Sequence, residues 1–361
     1  MKFISVNRAY SLYFVLSLLR AVESKTVFTE DVKMQIKSLL SALAVCLTLY
    51  SSAALCEAGP EGTVFVGVGK VSTPWFARHK EGIVKGAKEN DVKGEYGATT
   101  IASHKKQAEL VDKYVNRGVS ALLVVPNDAA SLEDSFKRAK DNGITVITHE
   151  SPQQVNADFD VELIDNEKFG ALLMDEFVKY SKGKKGKYAI YVGSLTVPAH
   201  NVWADAAVKR QKEMYPQLEF IDKLPIAENR GVSGKTALSL MKKHPDLVGI
   251  ISMGSEGLPG IGQSLSSKNL KDAITVVGVT TPNDVKEYLK SGYVQEAVLW
   301  DPAQAARVQT ILAKMIADGR KDEIKPGFSL PEFGTPRFEG NTLIFDDPLI
   351  ITKDNVDNYN F

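Results

Sequence analysis

Three short stretches carry residue types able to do chemistry. The first is "VFVGVGKVSTPWF" (Val64–Phe76), where a β-branched apolar run ends in Gly67-Val68-Gly69-Lys70. A glycine-rich turn before a lysine can grip phosphate, so two motifs bear testing. The phosphate loop G-x-x-x-x-G-K-[ST] needs glycine at residue 64, which is Val64, and Ser or Thr after Lys70, where Val71 stands. The dinucleotide fingerprint G-x-G-x-x-G needs glycine at residue 72, which is Ser72. Neither fits, and nucleotide binding is not expected. Lys70 remains a cation at a strand end, either solvated or turned to a ligand.

The second stretch is His149-Glu150, which could open a metal site or supply a general base. The chain has five histidines (His79, His104, His149, His200 and His244), and no two have H-x-x-x-H spacing, so a zinc site is not expected. The third is "GSLTVPAHNVWAD" (Gly193–Asp205). His200 and Asp205 could join a serine in a triad, yet the chain has no G-x-S-x-G elbow. The only cysteines, Cys46 and Cys56, lie near the N-terminus, which excludes a cysteine nucleophile from the main body. The reading is therefore of a binding protein, not an enzyme, with no metal and no cofactor.

These stretches are held by a repeating pattern. Apolar β-rich runs occur at Thr63–Val68, Ala121–Val125, Ile144–Thr148, Tyr188–Val192, Val248–Ser252, Thr275–Val279 and Gln295–Leu299. Segments such as "KKQAELVDKYVNRG" and "SLEDSFKRAKDNG", with apolar residues at helical spacing, alternate with them. Strands that are apolar throughout, alternating with helices, predict parallel sheets covered on both faces. The alternation runs twice, over 63–148 and 188–279. This predicts an α/β protein of two similar doubly wound lobes, with a ligand cleft at a hinge crossed more than once. The polar segment Ser151–Asp165 is read as one crossing and Trp300-Asp301-Pro302 as another, with a helix over Ala303–Ala317. The expected domains are 60–150 plus 301–326 for lobe 1, and 151–300 plus 327–361 for lobe 2.

In open α/β sheets, ligands bind beyond the carboxyl ends of the strands. Those ends carry Lys70, Trp75 and Phe76; Asn127; His149 and Glu150; His200 and Asn201; Met253 and Ser255; Thr281; and Trp300 and Asp301. Polar groups with a few rings at nearly every strand end suit a small polyhydroxylated ligand. Each hydroxyl taken from water needs a partner, at about 1–3 kcal/mol per group left unpaired. Trp75, Phe76 and Trp203 are each either core or a ligand platform.

Of 361 residues, 44% are hydrophobic, and 44 basic residues balance 44 acidic ones, which argues against nucleic acid as a partner. Residues 1–58 read as a leader. From Met34 a lysine, an apolar run Leu39–Tyr50 and small residues Ser51–Ala54 follow in the order of an export signal. The true start is expected at Met34, and the protein is expected outside the cytoplasm, in the periplasm or its equivalent. Lipidation at Cys56 is an alternative, weakened by Leu55 before it.

With the export signal and the two lobes, "VFVGVGKVSTPWFARHKEGIVKGAKE" resembles the type I periplasmic binding proteins that serve sugar ABC importers. "TVPAHNVWADAAVKR", "VVGVTTPNDVKEYLKSGYVQEAVLWDPAQ" and "ITKDNVDNYNF" resemble the branch holding the autoinducer-2-binding and rhamnose-binding proteins. The resemblance implies a secreted solute-binding protein that captures a sugar-like ligand by hinge closure and delivers it to an ABC permease. A membrane sensor is an alternative partner, and an autoinducer-2 binder or a sugar-modifying enzyme the alternative functions. The autoinducer-2 binders place a lysine where Lys70 stands, an aspartate where Glu150 stands, an Asp-Gln pair where Ala199-His200 stands and a Pro-Asp-Ala turn where Met253-Gly254-Ser255 stands. One of these is kept, which turns the expectation toward another small sugar, such as a deoxyhexose.

Overall fold

The structure is a computed structural model and describes residues 62–152 and 154–361. The expected leader, the start at Met34 and the Cys56 anchor lie outside the described residues. None of the described helices is long and apolar enough to cross a membrane.

Strand β1 (Val64–Gly69) is buried along its whole length, as a strand covered on both faces must be. It pairs in parallel with β2 (Lys93–Ala98) on one side and β3 (Ala121–Val124) on the other. Next come β4 (Thr145–His149) and β5 (Phe159–Glu162). Helices α1 (Pro74–Glu89), α2 (His104–Arg117) and α3 (Glu133–Asp141) connect the first four strands. Helix α2 begins where Ser103 accepts from Lys106 N and ends at left-handed Gly118.

The second lobe repeats the plan. After α4 (Asn166–Ser181) come β6 (Gly186–Val192), α5 (Pro198–Met214), β7 (Leu218–Pro225), α6 (Arg230–Lys243) and β8 (Leu247–Ser252). Then follow α7 (Gly257–Ser267), β9 (Thr275–Gly278), α8 (Pro282–Ser291) and β10 (Glu296–Leu299). The chain returns to the first lobe with α9 (Pro302–Ala317), β11 (Arg337–Glu339) and β12 (Thr342–Ile344), and closes in the second with β13 (Leu349–Ile351). The sheet orders are β11-β12-β5-β4-β3-β1-β2 and β13-β10-β9-β8-β6-β7. The five-strand order β2-β1-β3-β4-β5 thus recurs as β7-β6-β8-β9-β10.

The pairing moves the expected lobe boundaries. Strand β5 lies within the segment read as a crossing, but it pairs with β4, and β12 pairs with β5. The first sheet therefore takes its strands from 64–162 and 337–344 and the second from 186–299 and 349–351, so β5 at 159–162 and β11–β12 at 337–344, expected in lobe 2, belong to the first sheet. The acids of β5 (Phe-Asp-Val-Glu) concealed a buried strand. The chain changes lobe between Glu162 and Asn166, between Leu299 and Pro302, and between Ile344 and Leu349.

Two crossings end abruptly on an aspartate N-cap. Asp165 accepts from Lys168 N (3.2 Å) to start α4, and Asp301 accepts from Ala303 N (2.9 Å) to start α9. Such caps contribute about 1 kcal/mol each. Asp301 also takes a two-pronged pair from Arg78 of α1, at 2.9 and 2.7 Å, which ties the second crossing to lobe 1.

Candidate functional site

The carboxyl ends of β1 and β4 deliver Lys70 and Glu150. Both are almost fully buried, and the ammonium and carboxylate form an ion pair. Two charges taken from water are tolerable only when paired and hydrogen-bonded. Glu150 has φ +58°, in the left-handed region rarely used by residues other than glycine. Such strain gathers at functional sites. The glycines of the opening motif serve packing. A Cβ on Gly67 would come within 2.5 Å of the Tyr96 ring, and one on Gly69 within 2.7 Å of the Tyr96 hydroxyl and 2.8 Å of Phe76.

His149 has no nitrogen free for a ligand. The Trp300 indole N–H donates to Nε2 at 3.0 Å, which leaves the proton on Nδ1, donating to the Val161 carbonyl. Burial holds this imidazole neutral, pushed down to about 3. The Trp75, His79 and His149 rings lie nearly parallel in a cluster, with Trp75 5.8 and 5.9 Å from the two imidazoles and these 6.3 Å from each other, and Trp300 meets Trp75 edge-on.

Lobe 2 closes the other side. His200, in the first turn of α5, accepts at Nδ1 from Gly193 N–H (3.1 Å), so its proton is on Nε2. That atom faces Glu150 Oε2 across the cleft at 3.9 Å. Burial, then the nearby Lys70 charge, pushes the ring well below the usual histidine range. It is therefore a neutral donor, stacked on Trp203 at 5.1 Å. Glu228 receives the Ser255 hydroxyl at 3.4 Å. Burial raises its carboxyl to about 7; Lys70 opposes this, and Glu150 and Glu256 add to it.

These groups close on a cavity of about 10 Å³, lined by Lys70, Trp75, Phe76 and Glu150 from lobe 1 and by His200, Trp203, Glu228, Met253, Ser255 and Val279 from lobe 2. That is room for about one water, so the two lobes stand shut on each other here and a solute needs them to part. Larger hollows of about 560 and 520 Å³ lie beside Asn90 and Phe328 and at the crossings by Phe345 and Phe361; neither is lined by Lys70, Glu150 or His200. Among the described residues no group of three or more His, Cys, Asp or Glu could hold a metal.

Of the residues singled out in the sequence, Lys70, Trp75, Phe76, Glu150, His200, Trp203, Met253 and Ser255 come together at this cavity. The others do not line it. His149 and Trp300 are spent on each other beneath it. Asn201 donates back to the Ser194 and Val197 carbonyls. Thr281 donates to Asp284, and Asp301 caps α9. Asn127 donates its backbone N–H to Gln107 Oε1, and its side-chain oxygen is buried without a partner among the described residues. Glu228 and Val279 are additions. Glu228 follows β7, whose half-exposed residues do not read as a buried strand, so the sequence marks no strand end there.

Two lobes of one repeated topology, crossed three times, with a pocket built from both, define a cleft-binding protein of the α/β class. The periplasmic binding protein domain family matches residues 64–321, and the chain belongs to this family. It is 24% identical over 262 residues to the ribose import binding protein of Bacillus subtilis, covering 72% of this chain and 83% of that protein. It is 24% identical over 257 residues to the D-xylose-binding periplasmic protein of Escherichia coli, covering 68% and 74%. Two solved structures share the fold. The autoinducer-2 complex of LsrB from Clostridium saccharobutylicum has a TM-score of 0.75 at 24% identity, covering 83% of this chain and all of that one. An ABC transporter solute-binding protein from Clostridium phytofermentas with bound L-rhamnose has a TM-score of 0.77 at 18% identity, covering 82% and 98%.

Proposed function

We propose that the protein captures a small sugar-like solute by hinge closure and hands it to an ABC permease outside the cytoplasm. The observation that carries this is the pocket itself, shared by both lobes and shut to 3.9 Å between Glu150 and His200. Its donors are Lys70, the His200 Nε2–H and Ser255; its acceptors are Glu150 and Glu228. Trp75, Phe76 and Trp203 offer ring faces for C–H surfaces, and Met253 with Val279 forms an apolar corner. A hydroxyl-rich ligand with one methyl edge, a deoxysugar, matches that division. Relatives named for ribose, xylose and D-apiose import and a structural neighbour holding L-rhamnose support the class. Autoinducer-2 is the second reading, favoured by Lys70 at the end of β1 and by the neighbour that holds it.

Closure works by adding contacts from the second lobe to a solute already seated on the first. Ligand hydroxyls would insert between Lys70 and Glu150 and take over part of their mutual bond. The test is thermal shift of residues 59–361 against monosaccharides, deoxysugars, polyols and autoinducer-2. A hundredfold excess over the dissociation constant stabilises by about 2.7 kcal/mol. No shift from any compound would overturn the sugar reading. For the compound that does shift it, Glu150→Ala is expected to abolish the response; an unchanged affinity would remove Glu150 from the site.

A further inference from the structure

The ligand reading leaves two buried carboxyl groups unused. Asp160 and Glu162 stand two residues apart on β5, so they share one face of the strand, and both are wholly buried. Asp160 Oδ1 accepts from Thr148 Oγ1 (2.7 Å) and Ser151 N (3.3 Å). Its Oδ2 and both oxygens of Glu162 meet no donor, nor does the hydroxyl of Thr342, which lies beside Asp160 in the β5–β12 register. The groups around the pair are Thr148 and Glu150 from β4, Ser151 from the following loop, Thr342 from β12 and Asn166 from α4. Glu150 is matched by Lys70. Among the described residues no lysine or arginine offsets Asp160 or Glu162.

Two like charges held side by side away from water repel strongly, in addition to the cost of leaving water. One proton removes that repulsion and lets the acid donate to its neighbour. We propose that Asp160 and Glu162 share a single proton and that this pair positions the cleft wall through Asn166 and Trp203. Burial pushes both carboxyls up, Glu162 well above its ordinary range, with the Asp160 charge adding to the rise. The proton therefore resides on Glu162, and Asp160 accepts it. The Asn166 side chain lies beside Glu162, and its Oδ1 accepts the Trp203 indole N–H. Asn166 is the first residue of α4, just past the first crossing. The path runs from the last residue of a lobe 1 strand, over the hinge, to a ring that lines the pocket. Loss of the proton puts a second negative charge beside Asn166 and pulls its amide away from the wall.

The test needs no ligand, so its failure is separate from failure of the sugar reading. The chain has three tryptophans, Trp75, Trp203 and Trp300, and all pack together at the cleft, with centroids 6.2 and 5.5 Å apart along the chain of contacts. Intrinsic emission therefore reads the cleft alone. Glu228 lines the same cavity and is raised to about 7, so the titration is made in the Glu228→Gln background. There, raising the pH of the ligand-free chain from 6 is expected to give a one-proton emission change. Adding Glu162→Gln keeps the shape and removes the charge, and should lose that change while keeping the urea midpoint at pH 6. Flat emission in the Glu228→Gln background, or an unaltered transition on adding Glu162→Gln, overturns the shared proton. If Glu162→Gln does not fold, Asn166→Ser serves. The fall of melting temperature with rising pH should remain while the emission change disappears. Persistence of the emission change there overturns the positioning role.

Discussion

Glu150→Gln removes a charge from the cleft while keeping its bulk. Lys70, 1% exposed, is then left in the pocket without a counter-charge. His200 is a neutral donor and cannot replace that carboxylate; Glu228, raised to about 7 in part by the Glu150 charge, ionises more readily once that charge is gone and offsets only some of the loss, because burial still opposes its ionisation. Breaking a buried pair by removing one partner costs about 3–5 kcal/mol. Lys70→Met strands Glu150 in the same way and should cost a similar amount. The double variant buries no charge and fills nearly the same volume, so it should sit near the parent, since apolar replacement of a buried pair is often neutral or stabilising by about 1–4 kcal/mol. At about 2 °C per kcal/mol, the low end for long chains, each single variant should melt about 6–10 °C lower and the double should recover most of that. The four proteins are compared by urea unfolding and calorimetry at pH 7 as a double-mutant cycle. Singles within about 1 kcal/mol of the parent, or a double as unstable as the sum of the singles, would refute the claim that the pair is a mutually dependent, dry unit.

Two further outcomes follow from the same site. Gly69→Ala places a methyl 2.7 Å from the Tyr96 hydroxyl and 2.8 Å from Phe76, so overpacking should cost about 1–3 kcal/mol; an unchanged urea midpoint contradicts this. Glu228 has its folded-state value raised from 4.5 to about 7. Its contribution is therefore complete below about pH 4.5 and lost as pH rises through 7. Glu228→Gln should flatten the fall in stability between pH 6 and 8. Glu296, also raised to about 7, is present in both proteins and cancels in the comparison; parallel profiles would remove Glu228 from the account.

Much of the architecture is legible because strands buried on both faces must be apolar throughout. β1, β3, β4, β6, β8 and β9 announce themselves that way, and the rule that ligands meet strand ends then finds Lys70, Glu150, His200 and Ser255. The same logic explains the errors. β5 alternates acids with apolar residues because its polar face holds a carboxyl pair, so it reads as a crossing. β7 is an edge strand with half-wet residues, and Glu228 was lost with it. His149 and Trp300 stand in the right place, but each uses up the other's hydrogen-bonding capacity, which no spacing reveals. Thr281-Pro282 and Asp301-Pro302 are another matter. A capping residue type before a helix-opening proline is a helix-start signature, and it could have placed both at helix starts from the sequence, where Asp301 caps α9 and Thr281 donates to Asp284.

The order in which lobe 1 is assembled has a consequence for how the protein is made. Its sheet is begun by residues 64–162, but α9, which packs on β4 and β3 and whose Gln309 donates to the Ile147 carbonyl, belongs to residues 302–317. A chain emerging N-terminus first must therefore synthesise nearly all of lobe 2 before the first sheet is covered. Through that interval Phe65, Leu123, Ile147 and Val161, all wholly buried in the finished protein, present an uncovered apolar face. Such faces make nascent chains sticky. The late return of α9, at residues 302–317 of 361, thus leaves the finished packing of lobe 1 to the closing stretch of translation.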